Sequence, residues 1–468
     1  MLPHVADAIV IGAGPAGAVA AALMARRGLD VVLVDKARFP RDKVCGDFIG
    51  PHAVRELREL GFGSALEPGN RIAAGNVFVE GKSVLESALP TGDQLPPYGC
   101  VIPREAFDER LFRAACAAGA TALEAHTFVA YSNEGATVAV TLRAANDGER
   151  TIRGRAVVGA DGSASLVALQ MRGRPQPKGD RLIALRAYYD GVEMAPDSVD
   201  VHFHARTFPG YFWTFPTGAG RANVGFGIVP QTVGAPKQHL RELMQGLMDA
   251  DPAVRARLAG AGIVKKMVGW PLSTYNGRLA VAGDRVLLVG DAAGFIDPIN
   301  GEGIHYAIAS GRWAAEAICA ALEGRPESLR ATLAEYAKRV RREIGRDLDL
   351  NRFLVAVASN RALNSAWIAL LRAWCERAAR DPEYLRVAAG VVAGIVPSSR
   401  LFEAATRRVS FAEGFGALRH AQPPDVLRTT VGTLAAGFRE PFASLRWLSR
   451  LSEAGFHAAR QLIASSAA

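Results

Sequence analysis

The sequence feature that most constrains the fold lies near the start of the chain, where an apolar run breaks into closely spaced glycines. Residues 8–11 read Ala-Ile-Val-Ile, and Gly12, Gly14 and Gly17 follow before an alanine-rich segment. The first glycine permits a tight turn, the second lets a phosphate approach the backbone, and the third lets a helix pack closely on the strand. The start of that helix presents free N–H groups and a partial positive charge to an anion. The pattern predicts a strand, turn and helix that bind a diphosphate.

Asp35 completes this pattern. A second apolar run, residues 31–34, ends in this carboxylate, which follows Gly12 by 35 − 12 = 23 positions. An acid at the tip of the second strand is placed to accept hydrogen bonds from a ribose. Ala16 within the turn and Lys36 after the acid are expected to line the same site. Because all these parts agree, we predict a Rossmann-like fold that binds an adenine dinucleotide.

Length and composition exclude several classes of protein. The chain has 468 residues, 49% of them hydrophobic, so it can bury a core in two or three domains without help from metals or disulfides. Its five cysteines include no Cys-x-x-Cys pair, which favours a reducing compartment and argues against a zinc site. No run approaches the roughly 20 apolar residues that span a bilayer, and a strand is predicted where a signal peptide would lie. We expect a cytoplasmic protein, with peripheral attachment at the inner face of the membrane as an alternative.

The formal net charge of +9 leaves two interpretations open. One is a generally basic surface without a dedicated partner. The other is an anionic partner, namely a phosphorylated substrate, an anionic lipid or an acidic carrier protein. A nucleic acid is not expected, because no basic block with interleaved aromatic residues and no nucleic-acid motif appears.

Three basic residues, Arg41, Lys43 and Arg104, are candidates for contact with an anion. Residues 40–46 read Pro-Arg-Asp-Lys-Val-Cys-Gly, so Arg41, Lys43 and Cys45 alternate and share one side of an extended loop. A solvated basic loop with a buried cysteine is the simpler interpretation. Nearby positive charge would lower the pKa of the Cys45 thiol, or the two cations would hold phosphate. Arg104 stands at the entry to a predicted helix, where the helix dipole disfavours a cation that lacks an anion beside it.

Two later segments repeat the pattern of an apolar strand that ends in glycine and aspartate. Residues 156–158 run into Gly-Ala-Asp-Gly at 159–162, and residues 285–289 run into Gly290 and Asp291. The second motif continues with a proline, two glycines and the start of a helix of small residues, at Pro298, Gly301, Gly303 and Ile304. Alternation over residues 123–160 predicts a meander of strands with a hairpin turn at 146–148.

In their order, these motifs resemble the geranylgeranyl reductase family of FAD-dependent oxidoreductases, within the larger group of flavoproteins built like para-hydroxybenzoate hydroxylase. The resemblance rests on the first glycine turn, the Pro-Arg-x-Lys-x-Cys-Gly loop, the Gly-Ala-Asp-Gly motif and the Gly-Asp motif with its distal glycines. It covers mainly residues 7–320. Three separated motifs imply FAD, and no second dinucleotide turn is present, so NAD(P)H or another electron donor is expected to act transiently.

The resemblance also implies a role for individual residues. Cys45 and Gly46 would lie beside the flavin ring, Arg104 would contact the cofactor, Asp161 would hold backbone groups around the pyrophosphate, and Asp291 would bind the ribityl chain. The helix start after Gly303 would stabilise negative charge on the reduced flavin. No metal site is predicted. The residues predicted to bind the cofactor are Gly12, Gly14, Ala16, Gly17, Asp35, Lys36, Arg41, Cys45, Gly46, Arg104, Asp161, Gly162, Asp291, Pro298, Gly301, Gly303 and Ile304.

One predicted strand carries aromatic residues in register. Tyr211, Trp213 and Phe215 alternate and so share one face, while Phe212 and Thr214 face the other way. Such a face is most often plain core. The stretch also resembles the Tyr-x-Trp-x-Phe-Pro motif of geranylgeranyl reductases, whose aromatic residues line an apolar cavity opposite the flavin. Together with Cys45, these three aromatic residues form the predicted catalytic set.

The fold class expected from these features is α/β with an α+β insert. We predict a discontinuous FAD-binding domain (residues 1–75, 100–180 and 275–325), a substrate domain built on a sheet (76–99 and 181–274) and a helical C-terminal region (326–468). Breaks are predicted at 396–399 and 422–424. The basic amphipathic residues 445–464 would form an ordinary docked helix or contact an anionic membrane.

The function implied by the resemblance is reduction of carbon–carbon double bonds in a polyprenyl or related apolar substrate, free or carrier-bound. Cys45, Tyr211 and bound water are the candidate proton donors, while the roles of Glu302 and His305 stay open. The alternative is a flavin monooxygenase or halogenase, although Tyr211 and Phe215 replace the tryptophan and isoleucine of the halogenase stretch. A flavoprotein without catalytic activity is a third possibility.

Overall fold

The glycine turn forms as predicted in the computed structural model, which describes residues 5–90, 94–144, 148–230, 237–323 and 328–420. Strand β1 (Val5–Ile11) pairs in parallel with β2 (Val31–Val34), and helix α1 (Pro15–Arg26) begins directly after the turn. Gly12 has φ of +103°, and a Cβ there would lie 2.2 Å from the Ala160 carbonyl oxygen. A Cβ on Gly17 would lie 1.9 Å from the Gly12 carbonyl oxygen. Both glycines are therefore required by the close contacts of the turn.

The first sheet surrounds these two strands. Within the described residues its order is β8 (Thr121–Leu123), β2, β1, β11 (Glu149–Gly159), β10 (Thr137–Ala144) and β9 (His126–Glu134), and β17 (Val286–Leu288) pairs with β11. The pairs that β1 forms with β2 and β11 are parallel, so their carboxyl ends meet at one edge. One predicted Gly-Asp motif follows β11, and the other follows β17, which is parallel to β11. The edge therefore collects motifs that are far apart in the sequence.

The second sheet carries the aromatic strand. In the described ranges its order is β16 (Gly262–Ser273), β12 (Arg181–Asp190), β15 (Arg221–Ile228), β14 (Tyr211–Gly218), β13 (Ser198–Phe203), β5 (Ala74–Val79) and β6 (Lys82–Ala88). One face packs Phe212 and Phe226 against α5 (Lys237–Ala250) and α6 (Pro252–Arg257). The opposite face carries Trp213 and Phe215. A small third sheet joins β3 (Phe48–Ile49), β7 (Gly99–Val101) and β4 (Asn70–Ile72).

Helices cover both sheets. Helix α1 packs against α8 (Ile304–Glu323) and α3 (Arg104–Ala117) on the first sheet. The remaining helices before residue 324 are α2 (Pro51–Glu59), α4 (Leu166–Arg172) and α7 (Gly290–Ala293). Short 3-10 turns lie at Gly63–Leu66, Lys178–Asp180, Arg361–Leu363 and Ser398–Phe402.

The predicted helical character of the C-terminal region is observed up to residue 420. Its helices are α9 (Ser328–Val340), α10 (Arg346–Ala358), α11 (Asn364–Ala378), α12 (Pro382–Val392) and α13 (Ala404–His420), with a π-helical turn at Arg341–Gly345. Helix α11 contacts β5 and β6, so this region covers part of the second sheet. None of the helices in the described ranges is both long and apolar enough to cross a bilayer.

The predicted α/β fold class is confirmed, with sheets where the strand patterns indicated them. The predicted domain boundaries stay a prediction. The break at 396–399 is observed, because a 3-10 turn separates α12 from α13. Residues 146 and 147 of the predicted hairpin turn (146–148), the break at 422–424 and the amphipathic residues 445–464 lie outside the described residues.

Candidate functional site

A cavity of about 1450 Å³ connects the two sheets and continues beneath the C-terminal helices. Small-molecule sites are typically about 300–1,000 Å³, so this space accommodates a dinucleotide and a second molecule. Every predicted cofactor residue except Gly17 lines it. Those residues are Gly12, Gly14, Ala16, Asp35, Lys36, Arg41, Cys45, Gly46, Arg104, Asp161, Gly162, Asp291, Pro298, Gly301, Gly303 and Ile304. Gly17 instead provides the close packing within the turn.

The glycine turn fits a diphosphate. Gly14 lines the cavity, and the nearest protein atom to a Cβ built there is Arg41 Nη2 at 3.5 Å, so open space remains over the start of α1. Asp35 stabilises the turn, since its carboxylate accepts hydrogen bonds from the N–H groups of Ala13 and Ala37, both at 2.9 Å. The bare backbone at the helix start is thus presented to the cavity.

The basic loop and Arg104 share one acidic partner that the sequence did not reveal. Arg104 is buried and donates to Asp108 from Nε at 2.6 Å and from Nη2 at 2.8 Å. Arg41 donates to the same carboxylate at 3.0 Å. The anionic partner predicted for Arg104 is therefore found one turn along its own helix. Both guanidinium groups nevertheless line the cavity, where they can face an anionic cofactor.

Lys43 presents an unpaired amine to the cavity. Its buried Nζ lies 4.6 Å from the centre of the Trp270 ring, and no described residue accepts a hydrogen bond from it. Burial lowers the pKa of Lys43, and the Asp291 carboxylate opposes that shift. A buried donor without an acceptor is costly unless a ligand supplies one. This orphaned amine fits the negative charge that FAD would bring.

The Cys45 thiol is not activated in the way that the sequence pattern allowed. Burial raises the pKa of Cys45, which outweighs the opposing effect of Arg104. Arg41 is held by Asp108, and Lys43 is itself desolvated. The thiol is therefore neutral at pH 7, as a proton donor must be. Cys45 and Gly46 both line the cavity between the cofactor motifs and the aromatic strand.

The second and third motifs meet beside this loop. Asp161 accepts the N–H of Leu166 at 2.8 Å and the Ser165 hydroxyl at 2.5 Å, so it fixes the start of α4. The Ser163 hydroxyl donates to Asp291 at 3.0 Å, which joins the two motifs directly. Asp291 is only partly buried and lines the cavity. This placement agrees with its predicted contact to the ribityl chain, which stays a prediction.

The aromatic strand is both core and cavity wall. The rings of Tyr211, Trp213 and Phe215 follow one another with centroids 6.0 and 6.1 Å apart, and all three line the cavity. A Cβ on Gly46 would lie 3.1 Å from the Phe215 ring, so the cofactor loop packs directly on this wall. The Tyr211 hydroxyl donates to the Asn300 carbonyl oxygen, and burial raises the pKa of Tyr211. The Tyr211 hydroxyl proton is therefore held in a hydrogen bond to the protein backbone.

A buried network links the wall to the loop and was missed in the sequence. Asn223 accepts from Trp213 Nε1 at 2.9 Å and donates to the Cys45 carbonyl and to Asp47, both at 2.7 Å. The Tyr188 hydroxyl donates to Asp47 at 2.5 Å, and burial raises the pKa of Asp47 to about 6. The available signal was an asparagine inside the otherwise apolar strand β15. This network positions Cys45 relative to the wall.

The far end of the cavity is apolar, and the sequence analysis did not predict its lining. Helices α11 to α13 and the turn between them supply its lining there, including Leu371, Trp374 and Val391. Three further lining residues are exposed at the surface: Val392 at 40%, Phe402 at 45% and Phe411 at 72%. They mark an opening with an apolar rim.

Comparison with known proteins agrees with this arrangement. The FAD binding domain family matches residues 5–348. Menaquinone reductase of Mycobacterium tuberculosis is 34% identical over 317 residues, covering 66% of this chain and 76% of that protein. Digeranylgeranylglycerophospholipid reductase 2 of Methanopyrus kandleri is 31% identical over 394 residues, covering 82% of this chain and 96% of that protein.

Solved structures share the fold at lower identity. A geranylgeranyl bacteriochlorophyll reductase-like protein of Thermoplasma acidophilum superposes with a TM-score of 0.66 at 22% identity, covering 92% of this chain and 99% of that chain. Flavin-dependent halogenases share the same fold, with TM-scores of 0.66–0.68 at 20–22% identity. On the sequence matches, the chain belongs to the geranylgeranyl reductase family of FAD-dependent oxidoreductases.

Proposed function

We propose that this protein saturates carbon–carbon double bonds in a polyprenyl chain or a related apolar substrate. The observation that carries the proposal is the continuity of one cavity, which runs from the FAD motifs along the aromatic wall into an apolar chamber under α11 to α13. FAD bound at those motifs supplies a hydride when reduced. An isolated alkene accepts hydride poorly, so the protein must contribute positioning and a proton.

Different residues of the chain would bind the cofactor and the substrate. The glycine turn, Lys43 and Asp291 hold the cofactor, and Trp213 and Phe215 hold the alkene against it. An apolar wall suits a long prenyl chain because each buried methylene contributes about 0.8 kcal/mol without any polar partner. The network from Asn223 to Cys45 keeps the cofactor loop at a fixed distance from the substrate.

The names of two relatives support a lipid substrate, since one is called a reductase of menaquinone and the other a reductase of a digeranylgeranyl phospholipid. The apolar rim at Phe402 and Phe411, with the exposed Arg407 beside it, suits contact with an anionic membrane from which such a chain would enter. A nicotinamide nucleotide or another two-electron donor would restore reduced FAD between turnovers.

The proposal is tested by anaerobic incubation of the reduced protein with geranylgeranyl diphosphate or menaquinone. Mass spectrometry should show a gain of two hydrogens for each bond reduced, and none when the reductant is omitted. Unchanged substrates, together with rapid oxygen consumption and transfer of oxygen or halide to an organic substrate, would instead assign the protein to the oxygen-using flavoproteins.

Replacing Asp291 with alanine should weaken FAD binding by roughly 10- to 100-fold, since a hydrogen bond to a charged group is worth about 1.5–3 kcal/mol. The measurement is the flavin content of the purified protein, followed by titration with FAD. Asp284→Ala is the matched control, because this aspartate precedes the same strand but is 58% exposed and pairs with Arg330 on the surface. Unchanged flavin content in Asp291→Ala would contradict the ribityl assignment.

A further inference from the structure

A buried carboxyl group, that of Asp297, and a half-buried one, that of Glu302, lie in the loop between α7 and α8. Asp297 is 3% exposed. One of its oxygens accepts the N–H of Ile299 at 2.7 Å, and the other accepts Asn351 Nδ2 at 2.8 Å. Donors of this kind stabilise the ionised form of a carboxyl group. Burial nevertheless raises the pKa of Asp297 to about 7, and the donors limit this rise, so Asp297 is the stronger acid of the two carboxyl groups.

Glu302 has different surroundings. A Cβ built on Gly394 would lie 2.3 Å from Glu302 Oε2, and one built on Gly50 would lie 3.4 Å from Oε1, so the carboxyl group fits between two residues without side chains. Among the described residues, the charge that acts on it is that of Asp297. Burial and this like charge raise the pKa of Glu302 to about 8. As the pH rises, Asp297 therefore ionises first, and Glu302 keeps its proton to higher pH.

The Glu302 side chain belongs to the reaction cavity. It lines the cavity together with Pro298 and Gly301 of the third cofactor motif. The same loop touches the aromatic wall, since Asn300 accepts the hydrogen bond from Tyr211 and a Cβ on Gly301 would lie 3.8 Å from the Tyr211 hydroxyl oxygen. Glu302 therefore lines the cavity from the loop that carries the third cofactor motif and contacts the aromatic wall.

We propose that Glu302 is the acid that protonates the substrate carbon adjacent to the one that receives hydride. This assignment rests on the proposed function. In the step the π bond breaks and two C–H bonds form. The hydride contributes the electron pair of one bond, and the proton of Glu302 is taken up by the electron pair of the former π bond. The resulting carboxylate then regains a proton from water, and a nicotinamide nucleotide or another two-electron donor restores the hydride source.

Other titratable groups face this region from every neighbouring element. Burial lowers the pKa of His52 and His305, the latter to about 3, and raises the pKa of Tyr306 and Tyr211. These four groups therefore keep one protonation state over the range in which Glu302 titrates. The charged and titratable groups around Glu302 are Asp297 in its loop, His305 and Tyr306 on α8, His52 on α2, Tyr211 on β14, Asp291 on α7 and Asp347 on α10.

The test compares pH–rate profiles for reduction of geranylgeranyl diphosphate by anaerobically reduced holoenzyme. Wild-type activity should fall as the pH rises above about 8, because the acid form of Glu302 is lost. Glu302→Gln should lower the rate by about 100-fold or more and remove this decline, since general acid catalysis contributes roughly 10²- to 10⁴-fold. Asp297→Asn should move the decline to lower pH by removing the neighbouring charge. Glu316→Gln, a partly exposed carboxylate further along α8, should keep the wild-type rate and profile.

A second readout needs no substrate. The infrared absorption of a protonated carboxyl group in the oxidised holoenzyme should disappear as the pH rises through about 8, and Glu302→Gln should lack this change. If Glu302→Gln reduces the probe at the wild-type rate with the same pH decline, the inference is overturned while the proposed function stands. If the wild-type protein reduces neither geranylgeranyl diphosphate nor menaquinone, both are overturned.

Discussion

Replacing Gly14 with alanine is expected to weaken FAD binding by more than about 100-fold while the FAD-free protein stays folded. Gly14 has φ of −69° and ψ of −176°, a conformation open to any residue. The nearest protein atom to the new methyl group would be 3.5 Å away, so nothing in the protein is displaced. The methyl group instead fills space over the start of α1, where the diphosphate would bind. The free energy of unfolding should change by no more than about 1 kcal/mol, the usual effect of losing glycine at a helix N-cap.

Gly28→Ala provides the opposite pattern as a control. Gly28 has φ of +82° with no atom within 4 Å of a built Cβ. Alanine there should destabilise the fold by about 1–2 kcal/mol through backbone strain alone, without any effect on FAD. Denaturant unfolding of the FAD-free proteins and titration with FAD separate the two cases. Wild-type FAD affinity in Gly14→Ala would mean that the diphosphate does not bind at this turn.

Replacing Trp213 with alanine is expected to lower substrate turnover by about 100-fold with the flavin content unchanged. The indole forms the middle of the aromatic wall, and its Nε1 donates to Asn223, which also holds the Cys45 carbonyl. Removing the indole opens the wall and leaves the Asn223 side-chain oxygen without its donor. We therefore expect the alkene and the cofactor loop to lose their fixed relative position. Loss of a buried aromatic side chain also lowers the free energy of unfolding by about 3–5 kcal/mol.

Phe212→Ala separates that stability effect from the effect on the site. Phe212 precedes Trp213 on the same strand, is 1% exposed and packs on the opposite face with Phe226. Its truncation should destabilise the protein to a similar extent, yet turnover should persist at temperatures where the fold is intact. Loss of the flavin spectrum in Trp213→Ala would show that the wall supports the cofactor instead of the substrate.

The parts of the site that sequence reasoning found are those determined by local geometry. Gly12, Asp161 and Asp291 each follow a strand of one sheet, and parallel neighbours bring such positions to one edge. The alternation of Arg41, Lys43 and Cys45 likewise placed them on one side of a loop, and all three line the cavity. For these residues, spacing along the chain predicted the placement, and the family resemblance supplied the expected role.

What sequence reasoning missed depends on segments that meet only in the folded protein. Asp108 pairs with Arg41 from a helix 67 positions away, and Asn223 reaches the Cys45 carbonyl from 178 positions away. No local pattern specifies such partners. The role of Glu302 was left open for the same reason, because its carboxyl group lies between Gly50 and Gly394, which are far from it in the sequence. The sequence also could not decide whether the aromatic strand belongs to the core or to a cavity wall. In the structure, one face packs Phe212 in the core, and the other face, with Trp213 and Phe215, lines the cavity.

Gly46 allows close packing between the loop that carries Cys45 and the aromatic wall. Because it has no side chain, the loop that carries Cys45 rests directly on the Phe215 ring, and the Asn223 hydrogen bonds tie loop and wall into one unit. Under the proposed function, we expect a substrate chain that tilts the Phe215 ring to shift the loop that carries Cys45 as well. Binding of the alkene would then change the position of the cofactor loop before any bond is made or broken.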